Sequence, residues 1–88
     1  MINENMINAK QAYRTLEYFF ENNIAIHFSL TDSGWKNGII LDLSEKKLTM
    51  VLKEFKEGVI PILLEKVNVN TIKEYTKPMD KEDEKTIK

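Results

Sequence analysis

The chain contains no cysteine. That excludes a disulfide framework and a thiolate metal site, and it fits a reducing compartment, so the expected location is cytoplasmic. There is one histidine, His27, with neither a cysteine nor a tight carboxylate cluster beside it. A metal site or a nucleophile–base pair cannot be assembled from such a set, so no catalytic residue, metal or cofactor is expected and the protein reads as a non-enzyme. An excess of charge of one sign is also missing: 13 basic residues stand against 14 acidic ones. No global field draws such a chain onto nucleic acid or an anionic membrane, and any binding of that kind has to be local. No apolar run approaches the ~20 residues that span a bilayer. The opening Met1-Ile2-Asn3-Glu4-Asn5 lacks the basic-then-apolar order of a signal peptide, so a soluble, retained protein is expected. The only glycines, Gly34, Gly38 and Gly58, match no dinucleotide or P-loop spacing and precede no strand-to-helix junction. They read as structural.

What is present is enough for one compact domain. Of the 88 residues, 42% are apolar, which suits a single small core near the margin of stability. Ile2, Met6, Ala9, Tyr13, Leu16 and Phe20 recur in steps of four and three, and Ala12 and Phe19 widen the stripe. The spacing predicts an amphipathic helix over about residues 3–22. Asn8 with Gln11 forms a variant capping box, while Asn3 or Asn5 starts the helix about a turn earlier; Asn22-Asn23 supplies a stop, because asparagine tolerates the left-handed conformation.

From Ile24 the period changes to two. Ile24, Ile26, Phe28 and Leu30 point one way, and Ala25, His27, Ser29 and Thr31 the other, the pattern of a half-buried strand. After the turn residues Thr31-Asp32-Ser33-Gly34, a second strand runs from Trp35 to Leu43, with Gly38 where a bulge or sharp bend costs least. Ser44-Glu45-Lys46-Lys47 turns into a third strand from Leu48 to about Phe55, and Lys56-Glu57-Gly58 into a fourth from Val59 to Lys66. Pro61 cannot donate to a ladder, so the fourth strand is expected to be open on one side there, or bulged. A last short strand falls within Val67 to Tyr75, preceded by a tight turn at Asn68 or Asn70. The expected fold is therefore mainly β with an N-terminal helix, a five-stranded and strongly bent small β-barrel over residues 1–76. Strands two to four carry apolar residues on both faces, among them Ile39, Ile40, Leu41, Ile60, Ile62 and Leu63. A single sheet would expose one set, so the helix is expected as the main cover, with a neighbouring subunit as the other candidate. Residues 77–88 are too polar to offset ordering entropy and read as a disordered, solvated charged tail.

Individual candidates have ordinary structural readings beside the functional ones. His27 lies on the non-core side of its strand, where a surface or edge histidine is the usual case. Trp35 shares the parity of Asn37, Ile39 and Leu41, which favours packing in the core or at the barrel end over stacking on a base. Lys46 and Lys47 are the only adjacent basic pair in the barrel, but Glu45 is next to them and Asp42 near, which fits a solvated turn.

A helix followed by five short bent strands, a glycine in strand two, and the ending Val67-Asn68-Val69-Asn70-Thr71-Ile72 together resemble the Sm-like family, the Sm, LSm and Hfq proteins. The likeness covers roughly residues 8–76. The family's first motif corresponds to Ile26 to Leu52, with Gly38 at its strand-two glycine, and the second to Leu64 to Ile72. The resemblance implies self-association into rings and binding of single-stranded RNA through the loops after strands two and four. Where the family has an aspartate and an asparagine in the first of those loops, this chain has Ser44 and either Leu48 or Thr49. Glu65-Lys66 stands in place of the arginine–glycine pair of Sm proteins, and the Tyr-Lys-His pattern of Hfq is missing. Lys46, Lys47, Lys66, Asn68 and Asn70 are the RNA contacts this comparison leaves. The expected function is a self-associating, non-enzymatic barrel that binds single-stranded RNA or an RNA-associated partner. The alternative is a protein-interaction module that uses the strand edge near Pro61, or an apolar groove beside the helix, without nucleic acid.

Overall fold

A computed structural model describes residues 3–76; Ile2 and the charged segment 77–88 lie outside the described residues. An 18-residue helix, α1 (Glu4–Glu21), precedes five strands: β1 (Ile26–Leu30), β2 (Gly34–Ser44), β3 (Thr49–Glu54), β4 (Gly58–Leu63) and β5 (Lys73–Glu74). Two 3₁₀ turns, Leu64–Lys66 and Val69–Thr71, connect β4 to β5.

Of the possible helix starts, Asn3 is the one used. Its Oδ1 accepts the Met6 N–H at 2.8 Å, satisfying one of the donors a helix leaves unpaired. Asn8 is inside the helix and does something else: its Nδ2 donates to the carbonyls of Glu65 and Val67, at 3.3 and 2.9 Å, and ties α1 to the first 3₁₀ turn. At the other end Asn23 takes φ 57°, Asn23 N–H donates to Phe20 O, and Ile24 N–H donates to Phe19 O, the two bonds of a Schellman stop. Ile24 thus finishes the helix and β1 begins at Ile26. Ala9, Ala12 and Leu16 are fully buried, Tyr13, Phe19 and Phe20 pack at the margin, and Met6, placed on the same stripe by its spacing, is largely exposed.

The strands form one antiparallel sheet in the order β4-β3-β2-β1-β5. It is not a closed barrel: among the described residues no ladder joins β4 to β5. The reason lies in the connection. After Leu63 the chain leaves the expected fourth strand for the 3₁₀ turn and crosses to the far end of β1, where Thr31 N–H donates to Lys66 O, Asn68 N–H to Ser29 O, and Leu30 bridges Val67. Only two residues then remain paired in β5.

Bending is concentrated in β2. Its first half, Gly34 to Gly38, pairs with β1, and its second half, Gly38 to Ser44, pairs with β3. Gly38 belongs to both ladders, and a Cβ there would stand 2.3 Å from the Lys53 carbonyl oxygen and 2.9 Å from Glu54 Cα. Glycine is required by the close approach of β3 rather than by a bulge. The bulge itself is three residues on, where the register skips Leu41 between Ile40 and Asp42 and the inward parity changes.

The inner face of the sheet and α1 share one core of Leu16, Ile26, Phe28, Met50, Leu52, Leu64 and Val67, each essentially inaccessible to water. At about 25 cal/mol per Å² of apolar surface removed from water, this cluster is the main stabilising term. The inward parity of early β2 is Lys36, Gly38 and Ile40, opposite to the expectation for Trp35, which is 56% exposed. Lys36 can point inward because it sits at the sheet's end, where its Nζ reaches Glu57 Oε1 at 2.9 Å. No helix among the described residues is long and apolar enough to cross a membrane.

Candidate functional site

The outer side of the sheet, at the end formed by β1, the start of β2, the β3–β4 turn and β5, gathers aromatic and basic side chains. In the register, His27 of β1 is opposite Asn37 on one side and Lys73 on the other, so all three lie on one face. Trp35, diagonal to His27, stacks on the imidazole with ring centroids 4.5 Å apart and planes within 6°. A hydrogen bond joins His27 Nδ1 to Oδ1 of Asn37 and holds the two side chains together. Across a groove of ≈ 640 Å³ lined by His27, Asn37, Lys56, Lys73, Glu74 and Tyr75, a second aromatic pair closes the site: Phe55 and Tyr75, with centroids 5.2 Å apart. Phe55 is 51% exposed. Among the described residues neither Lys56 nor Lys73 makes an ion pair.

Glu54 ties the β3–β4 turn beside this groove to β2. Its carboxylate is buried and accepts three backbone N–H groups: Lys56 and Glu57 at Oε1, at 2.7 and 2.8 Å, and Asn37 at Oε2, at 3.1 Å. Phe55 N–H in turn donates to Asn37 O at 2.9 Å. One carboxylate therefore fixes the β3–β4 turn that carries Phe55 and Lys56 against the strand that carries Trp35 and Asn37. Burial pushes the Glu54 pKa up, but the N–H groups of Glu57, Asn37 and Lys56, together with the Lys36 charge, outweigh it and hold the carboxyl below its ordinary value. The turn also uses Gly58 at φ 85°, a conformation that other residues rarely adopt.

The residues expected from the sequence to contact RNA are distributed elsewhere. Lys46 and Lys47 are exposed in the β2–β3 turn, where Lys47 N–H donates to Ser44 Oγ at 3.0 Å. Lys66 closes the first 3₁₀ turn with its Nζ 3.8 Å from Asp32 Oδ2. Asn68 lines the groove beside α1 with Asn5, Ile7, Asn8, Gln11 and Glu65. Its Nδ2 donates to Ser29 Oγ at 2.8 Å, and its carbonyl accepts the Thr71 hydroxyl, so it also holds the 3₁₀ segment to β1. Asn70 is exposed in the second turn. Lys46 and Lys47 thus occupy the β2–β3 turn, while Lys66, Asn68 and Asn70 follow β4; none of the five lines the aromatic groove.

Sequence reasoning passed over Phe55, Lys56, Lys73 and Tyr75. The available signal is an aromatic beside a lysine at two places, Phe55-Lys56 and Lys73-Glu74-Tyr75, and it becomes a site only because β5 returns beside β1. A third open surface is the β4 edge. Because β4 residues of even number face β3, with Leu64 N–H donating to Leu48 O, the backbone groups of Val59, Pro61 and Leu63 face away from the sheet. Val59 and Leu63 are 63% and 52% exposed, and Pro61 brings no N–H to that edge, as its position in the sequence predicts. No family model, curated protein or solved structure matches this chain.

Proposed function

We propose that this protein is a non-enzymatic, cytoplasmic module of the Sm-like kind that self-associates and binds single-stranded RNA. The observation that carries the reading is the β4 edge. It presents backbone donors and acceptors at Val59 and Leu63 beside exposed apolar side chains, and β5 forms a second open edge on the opposite side of the same sheet. Two unlike edges on one sheet favour head-to-tail pairing between copies, and such heterologous contacts close into rings when the rotation allows. In this reading the bent sheet is the wall of a small barrel whose open side a neighbouring copy completes. RNA is the ligand class that the resemblance implies, and Lys46, Lys47, Lys66, Asn68 and Asn70 are the contacts expected from that comparison.

Solution mass together with the ultraviolet absorbance ratio of the purified protein tests the reading. The expected result is a multiple of the single-chain mass, reduced to the single chain by Val59→Lys with Leu63→Lys, and salt-sensitive binding of single-stranded oligonucleotides. A monomer that ignores every oligonucleotide would sink it. The same edge also favours a second reading, a protein-interaction module in which a partner's strand adds beside β4; a monomer that captures one discrete protein and no nucleic acid is its signature.

A further inference from the structure

We infer that the groove between the His27–Trp35 stack and the Phe55–Tyr75 pair is a base-stacking site for single-stranded RNA, separate from the loop residues that the family comparison nominates. The inference rests on the single-strand RNA reading above and locates where the bases sit. Its physical basis is the combination of surfaces. Trp35 carries His27 on one face and is 56% exposed, so the indole is already held at a fixed angle by a stacked ring and its remaining surface is open. Phe55 is held at a tilt against Tyr75 on the opposite wall. Rings fixed in this way lose little freedom when a base packs on them, and stacking needs no particular base because every base has a π-face.

The charges match a phosphodiester chain. Lys56 and Lys73 line the groove and carry no ion pair among the described residues, whereas Lys36 just beneath is engaged by Glu57. The buried Glu54 carboxylate is fully committed to backbone donors and adds little repulsion at the surface. Glu74 is the one acidic residue among the groove's lining. This local excess of cationic groups among aromatics is what a chain with no net basic charge needs in order to bind a polyanion at all. Amide and imidazole groups between the two walls, Asn37 and His27, offer hydrogen bonds to base edges.

Trp35 is the only tryptophan, so its fluorescence reports on this site alone. Oligouridine and oligoadenosine are titrated into the intact protein at two salt concentrations, with anisotropy of the labelled strand read in parallel. Binding is expected to quench Trp35. Trp35→Ala and Tyr75→Ala should each weaken binding about 5- to 100-fold. Reversing both Lys56 and Lys73 to glutamate should lower the log–log salt slope by about 1.4, at roughly 0.7 per phosphate contact. Lys46→Ala with Lys47→Ala and Lys66→Ala removes contacts expected from the family comparison, so it should lower the overall affinity, while the Trp35 quench reached at saturating oligonucleotide stays at its wild-type amplitude. RNA binding that survives the groove variants but is lost in the Lys46, Lys47, Lys66 variant overturns the groove and leaves the RNA reading standing. Duplex RNA bound as tightly as single strands also overturns the groove, since paired bases cannot stack on its rings. Failure of every oligonucleotide to bind at low salt overturns both and leaves the protein-partner reading.

Discussion

The two faces of this sheet use the same residue types to opposite ends. On the inner face Phe28 is completely buried in the core that the sheet shares with α1, and even the charged groups are closed off: Glu54 is satisfied by three N–H donors and Lys36 by Glu57. On the outer face Trp35 and Phe55 are more than half exposed, each braced by one neighbouring ring rather than surrounded. A buried aromatic contributes stability through the full area it removes from water, whereas a braced, exposed one contributes little to folding and keeps its surface for a ligand. Aromatics in a small domain are therefore not interchangeable evidence for a core.

The comparison breaks most directly at Phe28. Phe28→Ala should lower the unfolding free energy by ~3–5 kcal/mol, read as a fall in urea midpoint at unchanged slope, because it empties a fully buried position in the core cluster. A cost near that of a surface substitution would mean that the inner face is not the stabilising one. Glu54 tests the joint between the faces. Its folded pKa is depressed relative to the ordinary value of 4.5, so its contribution is fully present above that value and is lost as pH falls through the lower folded value. The urea midpoint of the wild type should therefore decline on acidification through that window, and Glu54→Gln should flatten this part of the profile while weakening the β3–β4 turn near neutral pH. A variant profile parallel to the wild type across the window would remove Glu54 from the account. The smallest effect is expected for Trp35→Ala, within ~0.5 kcal/mol in the same assay. A loss as large as that of Phe28 would show the outer rings to be part of the core after all.

Much of the frame could be read from residue order. The three-and-four spacing from Met6 to Phe20, the asparagines at both helix ends, the alternation through Ile26 and Phe28, and the edge position of Pro61 are local signals, and each appears where its local physics puts it. Along Trp35 to Leu43 the reading fails at a particular point. Ile39-Ile40-Leu41 is apolar in both parities, so the sequence offers no way to choose which side points inward, and the bulge at Leu41 then changes the parity partway along. Burial of Lys36 was equally hidden, since its partner Glu57 is 21 residues away. The fourth strand ends at Leu63 because Glu65 and Val67 carbonyls are taken by Asn8 of the helix, a contact across 57 and 59 residues that no local pattern announces.

Sequence alone determined that a helix precedes a mainly β region and that no cysteine is available for a disulfide or a thiolate site. Those conclusions depend on composition and on periods of two and 3.6, which are properties of neighbouring residues. Tertiary structure decided that the sheet stays open, with β4 and β5 at its edges, and that Trp35 faces outward. It also brought His27, Lys56, Lys73 and Tyr75 into one groove, with Phe55 packed against Tyr75. These depend on which strand ends meet. That outcome is set by the approach of β3 at Gly38 and the return of β5 to β1, by long-range packing that leaves no periodic mark in the chain.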